Sequence, residues 1–263
     1  MACIISKKDN MKLMKSLPDN GIDFIYIDPP FFTDSDYFTN KKKKAYTDKW
    51  ESMEAYLDFL EPRLREMQRL LKDTGLIAVH LDYHAVHYVK VLMDKIFGMD
   101  NFVNELIWAY KSGGASSRSF ARKHDNILLY SKTGSYYFSV QKEKSYNRGL
   151  KAYHFKGVEE FQDETGWYTL VNRRDVLNID MVGRTSAERT GYASQKPLGL
   201  LDVLVKSCCP EDGVCADFFG GSGSLAVAAA KNGRQFIYSD NGKEAYKICK
   251  ERLDKEGYKY EEN

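Results

Sequence analysis

The sequence predicts an α/β protein built on a doubly wound, mostly parallel sheet with one inserted lobe. Three observations lead there. Five short apolar runs end in acidic or small residues, amphipathic helical stretches separate them, and the alternation breaks once, between about residues 104 and 185. Strand–helix alternation is the pattern of a parallel sheet covered by helices on both faces.

The strands come in order. Cys3-Ile4-Ile5 is the first, and Asp23 to Asp28 the second. Gly75 to Leu81 is the third, Val214 to Phe219 the fourth, and Phe236 to Asp240 the fifth. Each is too short for a helix and apolar enough to be buried on both faces. Helical periodicity fits about 53–72, 85–97, 197–208, 223–232 and 243–255. The predicted division is a catalytic domain of residues 1–104 and 185–263, interrupted by a basic region of residues 105–184. A chain of 263 residues is long enough for one such domain with an inserted lobe.

The net charge of +2 says little, but its distribution says more. From Lys111 to Lys156 there are ten Lys or Arg against two acidic residues, so the remainder is acidic. A basic block on a near-neutral chain is the footprint of a polyanion-binding region, and a solvated surface loop gives the same pattern. None of the five cysteines stands in a CxxC spacing, which speaks against a zinc site or a disulfide framework. No metal is expected. No stretch approaches 18 apolar residues, so the expectation is a reduced, cytoplasmic protein without a membrane partner.

Two motifs carry chemistry. Asp217-Phe218-Phe219-Gly220-Gly221-Ser222-Gly223-Ser224 lies at a strand end and opens a helix. Glycines there let the backbone approach a nucleotide-like ligand, and the helix start offers free N–H groups. Asp240 ends the next strand, where a carboxylate receives ribose hydroxyls. The loop has no P-loop lysine, which argues against ATP or GTP. Asp28-Pro29-Pro30-Phe31 lies at another strand end. Consecutive prolines stiffen the chain and leave the preceding carbonyls as fixed acceptors. Beside a carboxylate and an aromatic ring, such acceptors suit a planar amine held by both hydrogens.

These two motifs resemble motifs IV and I of the amino-methyltransferases. Their order, with the catalytic motif first, then the basic region, then the Phe219-x-Gly221-x-Gly223 loop, is that of β-class DNA methyltransferases. The stretch Arg189-Thr190-Gly191-Tyr192-Ala193-Ser194-Gln195-Lys196-Pro197 is similar to motif X. Phe97 to Phe102, Glu105 to Trp108, Arg122 to Asp125 and Tyr130-Ser131-Lys132 resemble the type III modification subunits. The resemblance runs from about residue 5 to 255. It implies a seven-stranded Rossmann-like methyltransferase sheet with an inserted target-recognition lobe, S-adenosylmethionine as cofactor, and methylation of N6 of a flipped-out adenine in double-stranded DNA.

By the same resemblance Asp28, Pro29, Pro30 and Phe31 are catalytic, with Phe31 stacking on the base. Asp217, Phe219, Gly221, Ser222 and Gly223 hold the cofactor, Asp240 its ribose, Asp9 its adenine, and Gln195, Lys196 and Pro197 its methionine end. Asp28 borders both ligands. The chain departs from the pattern at Phe218, Ser224, Ala193 and Gly242-Lys243-Glu244, without losing a carboxylate or a core glycine of the motifs. Lys41, Lys42, Lys43 and Lys44 read as a phosphate clamp or a plain lysine tract. Lys111, Arg118, Arg122 and Lys123, interleaved with Phe120 and Tyr130, read as DNA contacts. His80 and Asp82 read as a packed pair.

Cytosine N4 is the nearest rival substrate, although that group usually begins the catalytic motif with Ser. RNA or protein amides, and a non-catalytic DNA-binding subunit, fit the motif order and the intact carboxylates less well. A stand-alone enzyme is expected. A homodimer and a separate restriction subunit remain open as partners.

Overall fold

The structure, a computed structural model, describes residues 3–38, 44–114 and 116–263. Its elements follow in chain order: β1 (Ile4–Ser6), α1 (Asn10–Ser16), β2 (Ile22–Ile27), β3 (Asp36–Phe38), β4 (Lys44–Thr47), α2 (Met53–Leu70) and β5 (Leu71–Leu81). Next come α3 (Val86–Phe97), β6 (Phe102–Ala109), β7 (His124–Ser131), β8 (Lys142–Tyr146), β9 (Phe161–Gln162), β10 (Trp167–Asn172) and β11 (Val176–Asn178). The chain closes with α4 (Leu198–Cys208), β12 (Val214–Asp217), α5 (Ser224–Lys231), β13 (Gln235–Ser239), α6 (Lys243–Lys255) and β14 (Glu261–Glu262).

The main sheet has the order β11-β6-β7-β5-β2-β12-β13-β1-β14. Seven strands make its body, and β11 and β14 add a two- or three-residue strip at each edge. Every pairing is parallel except those of β7 with β5 and β6. The predicted doubly wound, mostly parallel sheet is therefore present. All six residues of β2 are buried, as a central parallel strand covered on both faces requires.

One apolar cluster lies on each face. Leu60, Leu64 and Met67 of α2 and Val89 and Met93 of α3 pack on Ile25, Ile27, Ile77 and Val79. Leu201 and Val205 of α4, Leu225 and Ala229 of α5 and Cys249 of α6 pack on Phe24, Tyr26, Cys215, Phe236 and Tyr238. Alternate residues of β2 thus serve opposite cores, and Asp28 emerges from both at the strand's C-terminal end.

The predicted domain division needs correction. β6, β7 and β11 lie within residues 105–184 or begin beside them, yet they belong to the main sheet. β7 pairs with β5 from Leu76↔Ser131 to Leu81↔Asn126, and β6 continues outward from it. What stands apart from the main sheet is the three-stranded sheet β8-β10-β9 with its adjoining loops. The antiparallel β5–β7 pairing also places residues just before β7 at the same sheet edge as residues just after β5. The start of β7 thereby lies at the end of the sheet where β2 and β5 finish.

Candidate active site

Asp28, Asp217 and Asp240 end or directly follow β2, β12 and β13, three adjacent parallel strands, so the topology gathers their carboxylates at one edge. They line one cleft, the concave kind of site that takes a small molecule. Asp9, Pro29, Pro30, Phe31, Phe219, Gly221 and Ser222 line it as well.

Asp28 forms a part-buried ion pair with Lys196, whose Nζ donates to Oδ2. Its other oxygen, Oδ1, is buried and without a partner. A buried unpaired carboxylate oxygen is costly, and one aimed into a cleft is an acceptor awaiting a donor. Lys196 Nζ also lies 5.5 Å from the Phe31 ring centroid. This lysine was expected at the cofactor's methionine end; it lines the cleft and is bonded there to the Asp28 carboxylate. The remaining two residues of that triplet turn away from the cleft. Gln195 Oε1 accepts from Thr190 N and Oγ1, both at 2.8 Å, while its Nε2 donates to the Glu188 carbonyl at 2.7 Å. Pro197 is the cap residue of α4. Both hold the loop that delivers Lys196, and neither lines the cleft.

Asp240 accepts from Gly221 N at 2.9 Å and Gly242 N at 2.7 Å, which fixes its carboxylate at the cleft wall. Burial raises its pKa and pushes that of Asp217 well up. Asp217 accepts from Phe219 N at 2.9 Å, so it also shapes the loop after β12. Gly223 serves packing: it has φ +77°, and a Cβ there would lie 2.4 Å from Cys249 Sγ on α6. Gly223 does not line the cleft. Asp9 caps α1, accepting from Met11 N at 3.1 Å, and sits 3.7 Å from Arg63 Nη2.

Several lining residues were missed. Arg63 reaches over the Phe59 ring at 3.7 Å and donates from Nε to Asn10 Oδ1 at 3.0 Å; Asn10 in turn donates to the Phe218 carbonyl. Phe59 and Arg63 are one helical turn apart beside the buried stripe of α2, and that spacing was the available signal. Tyr192 walls the cleft beside Gly221. It lies inside the quoted Arg-Thr-Gly-Tyr stretch but was not singled out.

His80 does not pair with Asp82. Its Nδ1 meets Tyr26 OH at 2.8 Å and its Nε2 meets Asp125 Oδ2 at 3.2 Å, while Asp82 bonds His84 at 2.6 Å. Burial, with Lys196 nearby, lowers the His80 pKa and favours the neutral ring on which Phe31 rests at 6.2 Å.

The expected DNA contacts divide. Lys111, Arg118 and Arg122 are exposed. The Arg122 guanidinium lies 4.1 Å over the Tyr83 ring, which is 3.8 Å from that of His84. Lys123 is occupied instead, its Nζ donating among the carbonyls of Ser112, Gly113 and Gly114 and Ser112 Oγ at 2.8–2.9 Å. Tyr130 is core, bonded to Asp94, whereas Phe120 is 99% exposed. Lys41, Lys42 and Lys43 lie outside the described residues, as does the side chain of Lys44. Among the described residues no group of His, Cys, Asp or Glu side chains is placed to hold a metal ion, and no helix is long and apolar enough to cross a membrane.

The cleft fits the cofactor implied by the motifs. Four carboxylates (Asp9, Asp28, Asp217 and Asp240) face two cations (Arg63 and Lys196), between walls formed by Phe59, Phe219 and Tyr192. An acidic, aromatic-walled cleft suits a cationic nucleoside. Asp240→Asn is expected to weaken S-adenosylmethionine binding by about 10- to 100-fold, the cost of a hydrogen bond to a charged group. Calorimetric titration checks this, and an unchanged affinity would remove Asp240 from the site.

Comparison with known proteins agrees with this geometry. The chain is 27% identical over 247 residues to the type II methyltransferase M.HpaI of Haemophilus parainfluenzae, covering 94% of this chain and 72% of that one. The PvuII DNA methyltransferase, which is cytosine-N4-specific, superposes with a TM-score of 0.69 at 16% identity, over 96% of this chain and 87% of its own. The M1.HpyAVI–SAM complex superposes with a TM-score of 0.61 at 18% identity, over 95% of this chain and 100% of its own. At such identities these two likenesses speak for the fold alone. The family model described as DNA methylase, of the N6 and N4 type, matches residues 22–251. The chain therefore belongs to the N6/N4 DNA methylases, a family that uses S-adenosylmethionine.

Proposed function

We propose that the protein transfers a methyl group from S-adenosylmethionine to N6 of a flipped-out adenine in duplex DNA. The observation that carries this reading is the free, buried Oδ1 of Asp28, beside two prolines and Phe31 at the cleft.

An exocyclic amine is a weak nucleophile because its lone pair is delocalised into the ring. Asp28 Oδ1 accepts one amine hydrogen and the Pro29 carbonyl the other, which localises the lone pair on nitrogen. The bound cofactor supplies an electrophilic methyl group on a sulfonium. Phe31 takes the base face, a stack worth ~1–3 kcal/mol, and the fixed carboxylate stabilises positive charge growing on nitrogen. Lys196 keeps Oδ2 occupied, so only Oδ1 faces the amine. The target atom lies inside a duplex, so the base must leave the stack.

The DNA side of this reading rests on the exposed Lys111, Arg118 and Arg122 and on the Tyr83–Arg122 stack, all at the sheet edge that carries Asp28. Phosphate neutralisation sets the salt dependence of such binding, so Arg118→Ala should reduce the salt slope by about 1. An unchanged slope in a fluorescence binding assay would take Arg118 out of the interface. The protein acts, on this reading, as a stand-alone cytoplasmic enzyme.

Cytosine N4 is a second reading, since the matching family model covers N6 and N4 methylation alike. Labelled methyl transfer to duplexes in which every adenine is replaced by 2-aminopurine, which lacks the N6 amine, separates the two. Label incorporated only into the adenine duplex is the expected result, and label in both contradicts adenine.

A further inference from the structure

A second buried carboxylate lies behind the catalytic motif. Asp48 is 1% exposed and sits in the strap that follows β4. Thr33 Oγ1 donates to its Oδ2 at 2.9 Å, and the Phe31 backbone N–H also bonds to this carboxylate. Its own N–H donates to the Ser35 carbonyl at 2.9 Å. Tyr37 OH extends the chain, 3.2 Å from Thr33 Oγ1. The segment from Phe31 to Tyr37 is thus wrapped around one side chain that has no part in the methyl-transfer chemistry above.

We propose that Asp48 is a positioning residue for methyl transfer: as a carboxylate it holds Phe31 and Thr33 in the orientation that receives the target base. This rests on the reading of Phe31 as the base-stacking ring, and adds a residue that acts through it. Asp48 does not line the cleft. The strap and the catalytic loop are joined through its Oδ2 and backbone. A neutral carboxyl accepts hydrogen bonds more weakly than a carboxylate, so protonation loosens the loop.

The surroundings make that protonation accessible. Asp48 Oδ1 is buried without a partner, and so are Trp50 Nε1 on the strap and Tyr56 OH on α2. Asp28 and Asp82, from the ends of β2 and β5, add negative charge. Lys49, the neighbouring cation, is paired with Asp36 at 3.0 Å. The charges that act on Asp48 are thus those of Asp28 and Asp82. Burial, with these two carboxylates, raises its pKa to about 7 in spite of the Thr33 and Phe31 bonds.

The sign gives a discriminating test. A carboxyl whose pKa is raised by folding binds its proton more tightly in the native state, so the stability it contributes is full below the ordinary value of 3.8, is lost as pH rises from there to about 7, and is level above. The active loop, in contrast, needs the carboxylate. Rate and stability should therefore run in opposite directions across this range, whereas a purely structural residue moves them together.

The experiment measures single-turnover methyl transfer and the thermal midpoint from about pH 6 to about pH 8.5, for the parent, Asp48→Asn and Thr33→Val. The parent rate should rise through about pH 7, while its midpoint falls up to about pH 7 and is level above. Asp48→Asn should be about tenfold slower at high pH and lack that limb in both profiles, with unchanged cofactor affinity. Thr33→Val, which removes one bond to the carboxylate and keeps the charge, should be slower but retain the limb. A parent-like limb in Asp48→Asn, or parallel rate and stability profiles in the parent, overturns the proposal. A parent that transfers no methyl at any pH overturns the proposed function, and this inference with it.

Discussion

Asp28→Ala is expected to reduce methyl transfer by about 10²–10³-fold or more, the loss typical of removing a preorganised electrostatic group. The structure adds a second consequence. Lys196 is 7% exposed and loses its partner when Asp28 goes. Breaking a buried pair on one side costs ~3–5 kcal/mol because an unpaired charge is left behind. Asp28→Ala should therefore lower the melting temperature as well as the rate. The double variant Asp28→Ala/Lys196→Met separates the two effects, since removing both charges relieves the burial penalty. It should recover most of the lost stability and none of the lost activity. Melting curves and single-turnover transfer check the pair. Turnover of Asp28→Ala within a few-fold of the parent would remove Asp28 from the chemistry, and recovery of activity in the double variant would mean that the loss was one of folding.

Gly223→Ala is expected to destabilise the protein by ~2–5 kcal/mol, combining the strain of a left-handed residue with overpacking. The two components have separate origins in the structure. Gly223 has φ +77°, where an L side chain is strained whatever the space. Its missing Cβ would also lie 2.4 Å from Cys249 Sγ, 2.9 Å from Cys249 Cβ and 3.2 Å from Cys249 Cα. The last of these is backbone of α6 and cannot rotate away. Because Gly223 caps α5 directly after the cofactor loop, the same change should weaken S-adenosylmethionine binding by displacing Gly221 and Ser222. Cys249→Ala in the same chain removes the sulfur but neither Cβ nor Cα, so it should restore part of the stability and leave the strain. Thermal denaturation measures both variants. A Gly223→Ala protein within about 0.5 kcal/mol of the parent, the scale of an ordinary surface change, would contradict this packing.

The central strands and the acids at their ends were legible in the sequence because a buried parallel strand writes itself as an uninterrupted apolar run. β2 and β12 are buried along their whole length, and a carboxylate closes each apolar run, Asp28 partly exposed and Asp217 still buried. β6 was not legible as part of the sheet. It carries Asn104 and Glu105 and is only partly buried, since just one more short strand lies beyond it. Its membership is decided by pairing with β7, which pairing partners reveal and periodicity does not.

The site divides in the same way. A motif locates residues that are neighbours in the chain, as in Asp28 to Phe31. It does not locate partners that folding brings together. Lys196 is 168 positions from Asp28, and only the packing of the loop before α4 over the end of β2 joins them. Lys123 looked like a phosphate contact because charge is visible in a sequence and the carbonyls that consume it are not. Asp48 was invisible for the converse reason: an isolated acid in a polar stretch has no pattern, and its burial against Thr33 is a tertiary event.

The most direct test of the account is mass spectrometry of the nucleosides released from unmethylated duplex DNA after incubation with the purified protein and S-adenosylmethionine. N6-methyladenine is the predicted product, absent when Asp28→Ala replaces the parent. N4-methylcytosine would contradict the assignment of the base while leaving the cleft chemistry in place, and no modified nucleoside from a protein that binds the cofactor would contradict the account itself.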